Sequence, residues 1–248
     1  MINPREIYDL LLDYGTTDTQ VKEIIIGLTW TLCLTEGAGL CMSPGIVTRT
    51  LPWSGTLVNK SISELAPWLR SWDAHQATVA MAAINSVINS SSLPNTGTLL
   101  SPDSSANLAV FEHFLPQIRH KNVCIIGRYP GLNKYSEEMQ MKVIELQAGP
   151  EDFPAPASEF LIPEAEWVFL TATSIVNKTF PRLVELAKNS KLVLMGPTLP
   201  WLSDLKQMGI DYLAGVKVTN LPALRETVAE GGGVRIFETG IQYSVVEL

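Results

Sequence analysis

From Ala106 onward the chain repeats one pattern: a short apolar run, a turn of small polar residues, then an amphipathic stretch. The apolar runs are "NVCIIG" (122–127), "KVIELQ" (142–147), "WVFLTA" (167–172), "KLVLMG" (191–196) and "YLAGVKV" (212–218). They are too short for helices and, being apolar on successive residues, read as strands covered on both faces. A helix from Ala106 to about Ile118 precedes them, and "FPRLVELAKNS", "WLSDLKQMG" and "PALRETVAEGGG" supply helices between them. Strands alternating with helices in this way restrict this part of the chain to a doubly wound, parallel α/β sheet. "VRIFETGIQYSVVEL" (234–248) reads as closing strands, and Gly231-Gly232-Gly233 as a helix stop before them.

The preceding residues follow another rhythm. Ile7 to Tyr14 reads as a helix ended by Gly15. In "GLTWTLCLTEGAGLCMSP" (27–44) the period is two, predicting a half-buried strand with Leu28, Trp30, Leu32 and Leu34 on its inner face. The turn Glu36 to Gly39 then returns the chain as a second strand, Leu40 to Ser43, making a hairpin. Ser61-x-x-Glu64 is a capping box and Asp73-x-x-Gln76 its aspartate analogue, each opening a helix. The second helix is rich in alanine, so another element can approach its backbone closely. "SSSLPNTGTLLSPDSS" (90–105) is the expected connector. The predicted organisation is a small α+β domain, residues 1–95, followed by a parallel-sheet α/β domain, residues 96–248.

A net charge of −7 makes an extended phosphate backbone a poorly matched partner, so nucleic acid is not expected. The N-terminal stretch has no uninterrupted apolar core for a signal peptide, and Ile24–Leu34 is too short to span a bilayer, so no membrane partner and a cytoplasmic location are expected. Three cysteines and three histidines occur without any zinc-ligand spacing. Six tryptophans, four of them before residue 96, leave a homo-oligomer interface and a core role equally open.

In an open parallel sheet, ligands bind beyond the carboxyl ends of the strands. Four junctions fall there: Gly127-Arg128-Tyr129-Pro130-Gly131; Glu145; "TATSIVNKTF", with Thr171, Thr173, Ser174, Asn177 and Thr179; and Gly196-Pro197-Thr198. The first has only two glycines, Pro130 lacks an N–H, and the stretch after Gly131 has room for a stub of helix at best. A pyrophosphate cradle is therefore missing and NAD is disfavoured. Glu145 stands 18 residues after Gly127, near the spacing of an acid that takes a ribose hydroxyl, so S-adenosylmethionine remains compatible. Arg128 is either an anion partner or a solvated loop residue, and Tyr129 either stacks on a ring or covers the sheet edge. Glu36 is either an acid, base or metal ligand, or a solvated turn residue. Asn85 either packs or faces a cleft.

The order of these motifs resembles the putative heavy-metal chelation family, over nearly the whole chain and most specifically at "TATSIVNKTF", "GPTLP" and "AGVKV". The resemblance implies an enolase-N-terminal-like domain joined to a Rossmann-like domain, with a site in the crevice between them. Carried over, that site comprises Gly127 to Gly131, Glu145, Thr173, Asn177 and Gly196 to Thr198, faced by Glu36 and Asn85. Soft metals call for thiolates or imidazoles, which are scattered here, so a metal–chelate complex or a small chelator fits the residues better than a bare ion. Two functional classes follow: a binding protein for such a ligand, or a transferase or synthase with a nucleoside-type cofactor and Glu36, Glu145 or Tyr129 as its acid–base group.

Overall fold

The computed structural model describes residues 3–90, 96–101 and 105–248. Helix α1 (Glu6–Tyr14) leads into three antiparallel strands, β1 (Glu23–Ile26), β2 (Trp30–Leu34) and β3 (Ala38–Met42), in that spatial order. Ser61 and Glu64 form the reciprocal capping box that opens the one-turn α2 (Ile62–Leu65). Asp73 accepts the His75 and Gln76 N–H groups at the start of α3 (Ala74–Ile88). Both predicted caps are therefore present.

The larger sheet contains eight strands among the described residues: β4 (Thr98–Leu99), β5 (Asn122–Ile126), β6 (Gln140–Glu145), β7 (Phe153–Pro154), β8 (Trp167–Thr171), β9 (Lys191–Met195), β10 (Tyr212–Val218) and β11 (Ile241–Glu247). Their order is β4-β11-β10-β9-β8-β5-β6-β7. From β10 to β7 every pairing is parallel; β11 and β4 close that edge antiparallel. The chain builds outward from β5 through β6 and β7, then returns to β8 on the other side. The switch point thus falls between β5 and β8. Helices α4 (Ala109–Ile118), α5 (Ser158–Leu161), α6 (Thr173–Val176), α7 (Phe180–Leu186), α8 (Leu221–Ala229) and α9 (Ile236–Thr239) complete the fold. Among the described residues, no helix is long and apolar enough to cross a membrane.

Strand alternation sorts the core into two layers. Cys124, Ile126, Val168, Leu170, Leu192 and Leu194 face one way, onto α1, α3, α6 and α7. Val123, Ile125, Phe169, Val193 and Met195 face the other, onto α4, α8 and α9. The small sheet joins both layers: Cys33 and Cys41 pack in the first, Trp30, Leu32 and Leu40 in the second. Gly39 of β3 lies so close to α3 that a Cβ there would stand 2.1 Å from the Ala82 carbonyl oxygen. The alanine-rich helix is approached by a strand, as its composition predicts.

The structure differs from expectation in several places. Strand β2 is buried on both faces, with Thr31 and Cys33 as inaccessible as Leu32, because α3 covers the face expected to be wet. The hairpin is a three-stranded sheet; the missed strand, "EIII", is an apolar run without alternation. "WLSDLKQMG" forms a 3-10 helix, Ser203–Met208, and the stretch after Gly233 is α9 followed by one strand. The triple glycine therefore separates two helices, with Gly231 in the left-handed region. Much of the expected connector lies outside the described residues; Thr98–Leu99 within it is edge strand β4. Trp30, Trp167 and Trp201 are core, whereas Trp72 is 88% exposed.

Candidate functional site

Register brings the candidate junctions level. Ile126 pairs with Ile144 and with Leu170, and Thr171 pairs with Met195. The next residues along the strands, Gly127, Glu145, Thr171 and Gly196, consequently stand along one sheet edge, across the switch point. Gly127 and Gly196 have φ of +97° and +108°, a region that side chains rarely enter, and each turns its strand sharply off the edge. Above them opens a cleft of about 600 Å³, within the usual range for small-molecule sites. It runs from β6 to β11, five strand spacings or about 24 Å.

The cleft gathers Gly127, Arg128, Tyr129, Pro130, Glu145, Thr171, Thr173, Asn177, Gly196, Pro197 and Thr198. Gly131 stands just outside, at φ +84°, opening the 3-10 stub Leu132–Tyr135. Trp30 and Met42 of the small sheet form part of the opposite wall. Glu36 is elsewhere. It lies in the β2–β3 turn, 77% exposed, with its carboxylate 2.7 Å from Lys22 Nζ, and borders a separate depression of about 530 Å³.

Several candidates are committed to structure. Asn85 is fully buried; its Nδ2 donates to the Leu40 and Thr198 carbonyls at 3.0 and 2.9 Å. Thr198 Oγ1 in turn accepts the Met42 N–H at 2.9 Å. These contacts tie the seam behind the cleft, whose wall includes Thr198 and Met42 but not Asn85, and Asn85 Oδ1 has no partner among the described residues. The Arg128 guanidinium donates through Nε to Asp152 at 2.6 Å and through Nη1 to Asn133 at 3.1 Å. That bonding holds the Asp152 carboxyl below its ordinary range. Tyr129 sits edge-on against Phe111, and burial raises its phenol well above the ordinary value. Near neutral pH it is a hydrogen-bond donor and not a base. Asn177 Oδ1 accepts the N–H and Oγ1–H of Thr179, fixing the turn into α7.

Other cleft residues are reached only through the fold. Tyr243 comes from β11 and Ser174 from α6; both residues line the cleft, and among the described residues the Tyr243 hydroxyl and Ser174 Oγ, each closed off from solvent, have no hydrogen-bond partner. Ser174 belongs to the "TATSIVNKTF" junction, but nothing local to "IQYSVV" marks Tyr243. Lys178 is half-buried: its ammonium donates to the Leu69 carbonyl and lies 5.1 Å from the centroid of the Tyr8 ring. Burial lowers it to about 8. The cysteines are all buried, and burial pushes the Cys33 and Cys41 thiols up to about 12 and Cys124 to about 11. Thiolates, the form that binds soft metals, are therefore disfavoured. Among the described residues, no group of three or more His, Cys, Asp or Glu side chains is placed to hold a metal ion.

A small antiparallel sheet packed on an eight-stranded, mostly parallel sheet, with a cleft along the seam, defines a two-domain α/β protein. Residues 109–247 match the DUF364 family and residues 8–88 the DUF4213 family, both described as putative heavy-metal chelation, and the chain belongs to this family. It is similar to a crystal structure of a DUF364 protein of unknown function from Desulfitobacterium hafniense, with 27% identity, TM-score 0.85, and coverage of 99% of this chain and 98% of that one. A second DUF364 structure, from Pyrococcus horikoshii, shares the fold at 22% identity and TM-score 0.80, covering 99% of both chains. An uncharacterised protein of Methanocaldococcus jannaschii is 26% identical over 175 residues, 66% of this chain; the match spans 63% of that protein's length.

Proposed function

We propose that the chain binds a small organic ligand, a chelator or its metal complex, in the cleft between its two sheets, and serves heavy-metal chelation in that way. The observation that carries this reading is the mostly apolar cleft of about 600 Å³ over the level strand ends at Gly127, Glu145, Thr171 and Gly196, with Trp30 and Met42 of the small sheet on its wall. The family description supports a metal-related ligand. The raised thiols and the absence of a metal-ligating cluster among the described residues favour a metal that arrives already held by an organic molecule.

The test is native mass spectrometry on gently purified protein, with metal analysis of the same sample, for the wild type and Thr173→Trp. Tryptophan at position 173 fills the cleft from its half-exposed rim. A retained metal chelate or chelator that is lost in the variant supports the reading. A molecule retained equally by both places the ligand elsewhere and defeats it.

A second reading, a transferase or synthase using S-adenosylmethionine, is favoured by one observation: Glu145 ends β6 beside the side-chain-free turn at Gly127. A retained nucleoside-sized mass without metal would favour the enzyme.

A further inference from the structure

Glu145 is held by the main chain. Its Oε2 accepts the Arg128 N–H at 2.9 Å, and its Oε1 accepts the Leu146 N–H at 2.7 Å. Each oxygen of an ionised carboxylate offers two lone-pair directions. One backbone donor per oxygen fixes the group's orientation and leaves one acceptor direction on each. The result is two acceptors side by side on a rigid mount. They stand at the sheet edge, next to Gly127, with Ile144, Leu146 and Ala155 as apolar neighbours in the cleft.

What fills such a pair must present two donors at matching separation. A cationic ligand fits poorly. Arg128, Lys178 and Arg182 border the same cleft, where Glu145 is the sole carboxylate among the described lining residues. Arg128 itself turns its guanidinium to Asp152, although its own N–H already bonds Glu145. Two hydroxyls on adjacent carbons satisfy both acceptors without adding positive charge, and their carbon frame suits the apolar neighbours.

We propose that Glu145 holds a vicinal diol of the ligand bound in this cleft. Both a ribose ring and a catechol ring present that group. The inference rests on the cleft reading above.

The experiment is titration calorimetry of the whole chain with adenosine and with catechol, each paired with a counterpart lacking one hydroxyl, 2′-deoxyadenosine and phenol. At least one diol should bind about tenfold or more tightly than its counterpart, the effect of one charge-assisted hydrogen bond. Glu145→Gln should erase that preference, the diol's affinity falling to that of its counterpart in a variant whose circular dichroism spectrum shows it folded. Preference for adenosine alone assigns a ribose-type ligand; preference for catechol alone assigns an aromatic chelator. Equal binding of diol and counterpart overturns the proposal, and this comparison needs only the wild type. So does undiminished diol binding by folded Glu145→Gln, or no binding of either diol at about 1 mM, the weak end of small-ligand affinity. Failure here is separable from failure of the cleft reading: a retained molecule lost in Thr173→Trp, with no diol preference, removes the diol alone.

Discussion

Thr198 carries two bonds across the seam: its hydroxyl oxygen takes the Met42 N–H, and its carbonyl takes Asn85 Nδ2. Replacing Asn85 by alanine leaves the Leu40 and Thr198 carbonyls without that donor and opens a small void. Asn85→Ala should lose about 2–4 kcal/mol in urea denaturation. A loss below about 0.5 kcal/mol, the level of surface substitutions, would show the seam to be held by packing alone. Lys178 makes a prediction in pH. Its ammonium titrates near about 8 in the fold against an ordinary 10.5. Between those values the unfolded chain binds more protons, so stability rises with pH there, and the burial penalty is complete below about 8. Relative to Lys178→Met, the native chain should gain about 1 kcal/mol from pH 8 to 10, a discounted figure because the ammonium keeps part of its hydration. A flat difference would refute the burial of that charge. Thr171, Thr173 and Gly196 could be placed at the cleft from sequence, since strand ends are marked by local residue types. The choice for Asn85 stayed open because its two partners are 45 and 113 residues away.

Among the elements, the contact of β3 with α3 is the tightest backbone approach that positions the small sheet. A methyl group on Gly39 would meet the Ala82 carbonyl oxygen at 2.1 Å and the Ser86 nitrogen at 2.2 Å. Neither atom can move without disturbing the helix ladder. Gly39→Ala should therefore cost about 3 kcal/mol or more, as overpacking against backbone does. The check is a chemical melt alongside Gly45→Ala, where a Cβ has open space but φ is +62°. If Gly39→Ala costs no more than Gly45→Ala, a shift of β3 relieves the close approach, which then does not fix the position of the small sheet. Element by element, legibility followed range. The caps at Ser61 and Asp73 are made within three residues and were readable. The double burial of β2 was not, since alternation records only which side chains are apolar. Here α3 covers Thr31 and Cys33 as fully as the far layer covers Trp30 and Leu32.

At the scale of the molecule, each core layer draws on both sheets. The seam has the character of an interior, so differential scanning calorimetry should record one transition whose calorimetric and van't Hoff enthalpies agree. Two resolved transitions would mean that the sheets melt independently. The alternation of strands and helices made the large sheet legible as a class. The position of the small sheet upon it was hidden, because it is fixed by bonds such as Trp30 Nε1 to the Gly233 carbonyl and Arg225 to Glu23, more than two hundred residues apart. That separation has a consequence for how the protein is made. At roughly 5–20 residues per second of synthesis, the indole of Trp30 emerges about 10–40 s before its acceptor exists. Through that interval the nascent small sheet displays the apolar surface of Trp30, Leu32 and Leu40 to the ribosome's surroundings. Chaperone occupancy should therefore peak before Gly233 leaves the exit tunnel, and ribosome profiling of chaperone-bound nascent chains would register its fall once that residue appears.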